Sequence, residues 1–79
     1  MKVYVKVFAS LRKKYPEIND LNPLVVDLQE GTIIKELIKK LEFSLDEIKI
    51  ILRNGIKVSP DTIIKEDDII SLFPAIGGG

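Results

Sequence analysis

Three glycines, Gly77-Gly78-Gly79, close the sequence directly after Phe73-Pro74-Ala75-Ile76, and this stretch is where the chain can do chemistry. Glycine makes up about 7% of ordinary sequence, so three together at the end arise by chance with a probability of roughly 0.0003. A chain ending at Gly79 offers a backbone carboxylate with no side chain around it. Without Cβ, glycine lets the backbone pass closely by a partner and adopt conformations closed to other residues. A carboxylate is a poor electrophile until it is esterified to a good leaving group, and a covalent intermediate of that kind splits one hard step into two easier ones. From Ile69 to Gly79 no charged side chain occurs, so the segment can enter an apolar channel and bury no ion but its own terminus. A frayed chain end is the plain alternative reading of the glycines.

Other routes to chemistry are closed or weak. The chain has no histidine and no cysteine, which removes Ser-His and Cys-His pairs, a thiol nucleophile, disulfides and the usual zinc ligands. Glu66-Asp67-Asp68 invites a hard-cation site, but no Asp-x-Asp-x-Asp-Gly loop is present and the run reads as a solvated turn. Arg12-Lys13-Lys14 is most simply a solvated face, with docking to an acidic partner as its functional reading. Twelve Lys/Arg balance twelve Asp/Glu, and the two halves differ mildly, eight against five in residues 1–40 and four against seven in residues 41–79. That asymmetry builds no basic stripe for phosphate backbones and argues against nucleic acid as a main partner. No apolar run is long enough to cross a bilayer and no signal peptide is recognisable, so a cytoplasmic location and no membrane partner are expected. With 79 residues there is room for one domain and one modest core.

The elements that must hold the terminus follow from periodicity. Lys2 to Phe8 alternates, with Val3, Val5 and Val7 on one face, as in a half-buried strand. Leu11 and Tyr15 suggest a short helix, ended with the help of Pro16. Leu24 to Leu28 is a second strand, expected beside the first. Thr32 is a candidate N-cap, although Lys35 stands where a capping-box Glu or Gln would be. Ile33, Ile34, Leu37, Ile38 and Leu41 form one face of the main helix. A connector at Phe43–Glu47 leads to a third strand, Ile48 to Arg53, and Asn54-Gly55 is a type I′ hairpin signal returning the chain through Ile56-Lys57-Val58. Ile69 to Phe73 is the last strand, with Ile70 and Leu72 inward, and Pro74 breaks it. The result is an α+β chain with one main helix across a single face of a mixed sheet of about four to five strands, its first and last strands parallel at the centre.

At this point the sequence resembles the MoaD/ThiS family of ubiquitin-like sulfur carriers. The resemblance rests on Phe8-Ala9-Ser10-Leu11-Arg12 after the first strand, Gly31-Thr32 before the helix, the Asn54-Gly55 hairpin, Asp68 before the last strand, and the ending Phe73-Pro74 through Gly78-Gly79. It covers essentially the whole chain, and the Phe-Ala-x-Leu-Arg and Phe-Pro motifs favour the molybdopterin synthase small subunit. The resemblance implies a single β-grasp domain over residues 1–79, with 74–79 as a flexible tail. It implies that an E1-like adenylyltransferase uses ATP to adenylate Gly79, that a sulfur donor protein then converts it to a thiocarboxylate, and that the tail enters the synthase large subunit. There sulfur would pass to cyclic pyranopterin monophosphate on the way to the molybdenum or tungsten cofactor.

On that reading Gly79 carries the reacting group, Gly78 is its diglycine partner, and Phe73, Pro74, Ala75, Ile76 and Gly77 bind the partner, with no cofactor or metal held directly. Phe73 reads equally as a strand-end residue and as a docking anchor. Two positions depart from the family's pattern: Gly77 replaces a small non-glycine residue, and Asp67 replaces a glycine that commonly precedes the Asp of the last turn. The spacing from Phe73-Pro74 places Gly78-Gly79 at the family's end, so trimming of Gly79 is not expected. A ubiquitin-like protein modifier or a thiamine-pathway sulfur carrier would use the same terminus, whereas a plain interaction or RNA-binding module would not need it; sparse aromatics argue against RNA.

Overall fold

Val3, Val5 and Val7 are buried while Lys2, Tyr4 and Lys6 are not, so the alternation seen in the sequence is the inside and outside of β1 (Lys2–Val7). In the computed structural model, which describes residues 1–75, β2 (Leu24–Asp27), α1 (Ile34–Lys40), β3 (Ile50–Arg53), β4 (Ile56–Lys57) and β5 (Ile69–Phe73) follow. Single 3-10 helices span Ala9–Lys13 and Leu45–Glu47. The sheet order is β2-β1-β5-β3-β4. β1 and β5 are parallel at its centre, and the remaining neighbours are antiparallel. Ile34, Leu37 and Ile38 of α1 share one buried cluster with the three valines, Ile70 and Leu72. The expected mixed sheet with one helix across one face is therefore what forms. Among the described residues no helix is long and apolar enough to cross a membrane.

The helix begins one residue later than expected, with Ile33 and not Thr32 as N-cap. Thr32 turns its hydroxyl back to donate to the Gln29 carbonyl at 2.7 Å. The capping carboxylate is instead that of Glu36, which accepts from the Ile33 N–H at 3.0 Å. The exposed donors of the first turn, Ile34 and Lys35 N–H, reach the Thr62 and Pro60 carbonyls at 3.0 and 2.9 Å. These carbonyls lie 28 and 25 residues farther along the chain, which is why local pattern misplaced the cap. Ile33 is accordingly only half-buried. The third strand likewise starts at Ile50 and not at Ile48, because the Ile48 N–H closes the preceding 3-10 turn onto the Leu45 carbonyl.

At its far end α1 closes in a Schellman motif: Phe43 N–H donates to the Ile38 carbonyl and Glu42 N–H to the Lys39 carbonyl, with Glu42 at φ 66°. The two residues that follow the first 3-10 helix brace this end. Tyr15 donates its hydroxyl to the Leu41 carbonyl at 3.0 Å, and Lys14 donates to the Glu42 carbonyl while its ammonium lies 4.8 Å from the centre of the Phe43 ring. Burial, with the Glu42 and Glu17 carboxylates adding to it, pushes the Tyr15 phenol above its ordinary value and keeps it a donor. Tyr15→Phe should lower unfolding free energy by about 1 kcal/mol in a denaturant titration, the worth of one such bond; no change would show that water replaces it without loss.

Candidate functional site

β5 carries the chain toward its glycines and is held on both sides up to its last residue. Val7 pairs with Leu72 on one side and Ile50 with Phe73 on the other. Phe8 N–H donates to the Leu72 carbonyl at 3.2 Å, and Lys49 N–H to the Phe73 carbonyl at 2.8 Å. Pro74 then ends the ladder, since it has no N–H to donate. It is buried, and Ala75 after it is exposed. The strand thus fixes the place from which the C-terminal residues depart. Ile76, Gly77, Gly78 and Gly79, and with them most of the expected 74–79 tail, lie outside the described residues.

Phe73 stands on the sheet face opposite the helix, in phase with Ile69 and Ser71. Its ring stacks on that of Phe8, centroids 4.4 Å apart and planes within 6°. Arg12 forms a third layer: its guanidinium lies 5.4 Å from the centre of the Phe8 ring and its Nε donates to the Val7 carbonyl at 3.0 Å. An aromatic pair contributes about 0.5–1.5 kcal/mol beyond its buried area, enough to hold Phe73 in one orientation at the root of the tail. Phe73 is therefore both a strand-end residue and an accessible one, half-buried on an uncovered face. Phe8 and Arg12 complete this root, and sequence reasoning did not assign them to it; the signal was Phe8 falling on the outward phase of β1.

At the opposite end of β5 the reading of Glu66-Asp67-Asp68 as a solvated turn holds for the first two residues and fails for Asp68. Glu66 and Asp67 are exposed, but Asp68 is only 4% exposed. Its carboxylate accepts from Arg53 Nε and Lys65 N–H at 2.7 Å and from Asn54 Nδ2 at 2.9 Å. Asn54 in turn accepts from the Ile69 N–H at 2.8 Å. Burial pushes the Asp68 carboxyl up, yet the bonds from Lys65, Asn54 and Arg53 and the Arg53 charge outweigh it and hold it below the usual carboxylate range. The cluster pins the β3–β4 hairpin to the start of β5. Asp67 takes φ 65° at the turn, the left-handed conformation that Asp tolerates better than most residues. Among the described residues no group of three or more acidic side chains could hold a metal ion.

A five-stranded mixed sheet with a parallel central pair, one helix on one face and a C-terminal segment leaving the central strand defines the ubiquitin-like β-grasp class. A putative molybdopterin converting factor, subunit 1, from Pyrococcus furiosus is 26% identical with a TM-score of 0.76, covering 96% of this chain and 99% of that one. SAMP1 from Haloferax volcanii is 20% identical with a TM-score of 0.74 and full coverage of both chains. A complex of subunits 1 and 2 of molybdopterin-converting factor from Helicobacter pylori 26695 contains a chain 22% identical, TM-score 0.62, again with full coverage. The ThiS family model matches residues 5–79, and the chain belongs to that family. No curated protein sequence matches it.

Proposed function

We propose that the chain is a sulfur carrier whose working group is the C-terminal carboxylate of Gly79, and that it serves as the small subunit of molybdopterin synthase. The observation that carries this reading is the family match, which runs through the glycines to residue 79. The likeness to the Pyrococcus furiosus protein supports the molybdopterin branch. An E1-like adenylyltransferase joins AMP from ATP to the Gly79 carboxylate and releases pyrophosphate. The terminal sulfur of a donor protein's persulfide attacks the acyl carbon and displaces AMP, and a thiol then cleaves the resulting acyl disulfide, releasing the thiocarboxylate and leaving a disulfide behind. The tail then enters the large synthase subunit, a partner of the kind the Helicobacter pylori complex names, and passes sulfur to cyclic pyranopterin monophosphate while water restores the carboxylate oxygen. Gly78 and Gly77 let the backbone through, and Phe73 to Ile76 meet the partner. The chain binds no cofactor itself and catalyses no step alone; it works in the cytoplasm, where ATP and the activating enzyme are.

Intact mass tests this directly. The chain, untagged at its C-terminus, is incubated with the cognate adenylyltransferase, ATP and a sulfur donor. Exchange of one oxygen for sulfur, absent when Gly79 is deleted, is expected. An unchanged mass with an enzyme shown to be active overturns the reading, and conjugates on lysines of other proteins without thiocarboxylate would make the chain a protein modifier instead.

A further inference from the structure

Asn54 and Gly55 form the two-residue loop between Arg53 and Ile56, which pair across the β3–β4 hairpin, and both are exposed to water. An asparagine followed by glycine carries a reaction of its own: the Gly55 nitrogen can attack the side-chain carbonyl carbon of Asn54, and glycine, having no Cβ, leaves that approach unhindered. A Cβ at Gly55 would meet nothing within 4 Å, so the surroundings do not block it either. What opposes the attack is the bonding of the Asn54 amide. Its Nδ2 donates to Asp68 Oδ1 at 2.9 Å and its Oδ1 accepts from the Ile69 N–H at 2.8 Å, while the Asn54 N–H donates to the Ile69 carbonyl at 2.8 Å. Asp68 is not free to follow a moving amide, because Arg53 Nε and the Lys65 N–H hold its other oxygen at 2.7 Å. The amide is thus tied at both polar atoms to the start of β5, and its carbon swings toward Gly55 only when both ties break.

We infer that Asn54 is a self-modification site, held latent by its ties to residues 68 and 69, and that opening of the hairpin lets Gly55 convert it to an aspartyl or isoaspartyl residue with loss of ammonia. A bond forms from the Gly55 nitrogen to Asn54 Cγ, the Cγ–Nδ2 bond breaks, and ammonia leaves with the proton that Gly55 gives up. Water then opens the cyclic imide at either carbonyl. No cofactor or partner enters, so the reaction is independent of the chemistry at Gly79. Neither product restores the hairpin. In the aspartyl product a carboxylate faces Asp68, which is only 4% exposed, where Nδ2 had donated, and like charges so placed repel. In the isoaspartyl product the backbone of the two-residue loop gains a methylene. A transient opening therefore becomes a permanent loss of the pin between the β3–β4 hairpin and β5.

The test follows the exchange of an NH for an oxygen by intact mass during incubation in mildly alkaline buffer, with fragmentation to locate it and Asn54→Asp as the blank. Native wild type should react at least about tenfold more slowly than the same chain in unfolding denaturant, the factor for holding two hydrogen bonds closed. Native Asp68→Ala, incubated below its melting transition, should react about fivefold or more faster than native wild type, because one tie is gone. Should that variant not fold, wild type in urea below its own transition takes its place: its rate should rise in proportion to hydrogen exchange of the Ile69 N–H, the donor to Asn54 Oδ1. Native wild type reacting as fast as the unfolded chain, Asp68→Ala reacting no faster than wild type, or a rate that stays flat while Ile69 exchanges faster overturns the inference, as does a loss of ammonia located at Asn19 or Asn22.

Discussion

Replacing Asp68 by alanine is expected to remove about 2–4 kcal/mol of stability, the range for stranding a largely buried cation and its neighbouring donors. Three donors lose their acceptor together: Arg53 Nε, Asn54 Nδ2 and the Lys65 N–H. The side chain of Arg53 is 29% exposed, so water recovers part of its loss and the value stays below that of a fully buried pair. In a domain of this size each kcal/mol moves the midpoint by about 4–8 °C, so Tm should fall by at least about 8 °C. The pH dependence has a definite sign. Because the folded-state pKa of Asp68 is depressed, its stabilisation is present above the unfolded carboxylate value and disappears as pH falls through the folded one. Wild type should therefore lose stability on acidification below the usual carboxylate range more steeply than Asp68→Asn, which is neutral throughout. Equal acid slopes for the two proteins would show that Asp68 does not carry the linkage.

What the sequence made legible was local. The period of two in Val3-Val5-Val7, the spacing of Leu37, Ile38 and Leu41 and the Asn54-Gly55 pair each state their geometry within a few residues, and the structure repeats them, with Asn54 and Gly55 at φ 52° and 84°. The features that escaped depend on residues distant in the chain. The helix N-terminus is satisfied by carbonyls from the turn at residues 60–62, and Asp68 is buried because Arg53 and Asn54 reach it from fifteen and fourteen positions away. Phe8 meets Phe73 because β1 and β5 are parallel neighbours. The candidate site divided in the same way. Its glycines could be read from composition, whereas the aromatic pair at the end of β5 needed the pairing of the first strand with the last.

Appending even a few residues after Gly79 is expected to abolish thiocarboxylate formation altogether while leaving Tm unchanged. Gly79 lies six residues beyond Phe73, so its distance from the end of β5 is at most about 20 Å. All the ladder and core contacts described here are made by residues up to 75, and an extension touches none of them. What it changes is the chemical identity of one group: the Gly79 carbonyl becomes part of a peptide bond, which offers no anionic oxygen to attack the α-phosphate of ATP, and the free carboxylate is moved to a residue farther along the chain. A side chain introduced at the same place separates reach from chemistry. Gly78→Ala keeps the carboxylate, so it should slow adenylation by crowding the close backbone approach without ending it. Three proteins then resolve the roles by intact mass: wild type carrying sulfur, Gly78→Ala carrying it slowly, and the extended chain carrying none. Sulfur on the extended chain would move the reacting group off Gly79, and activity of Gly78→Ala equal to wild type would leave the glycine before it with no part in the approach.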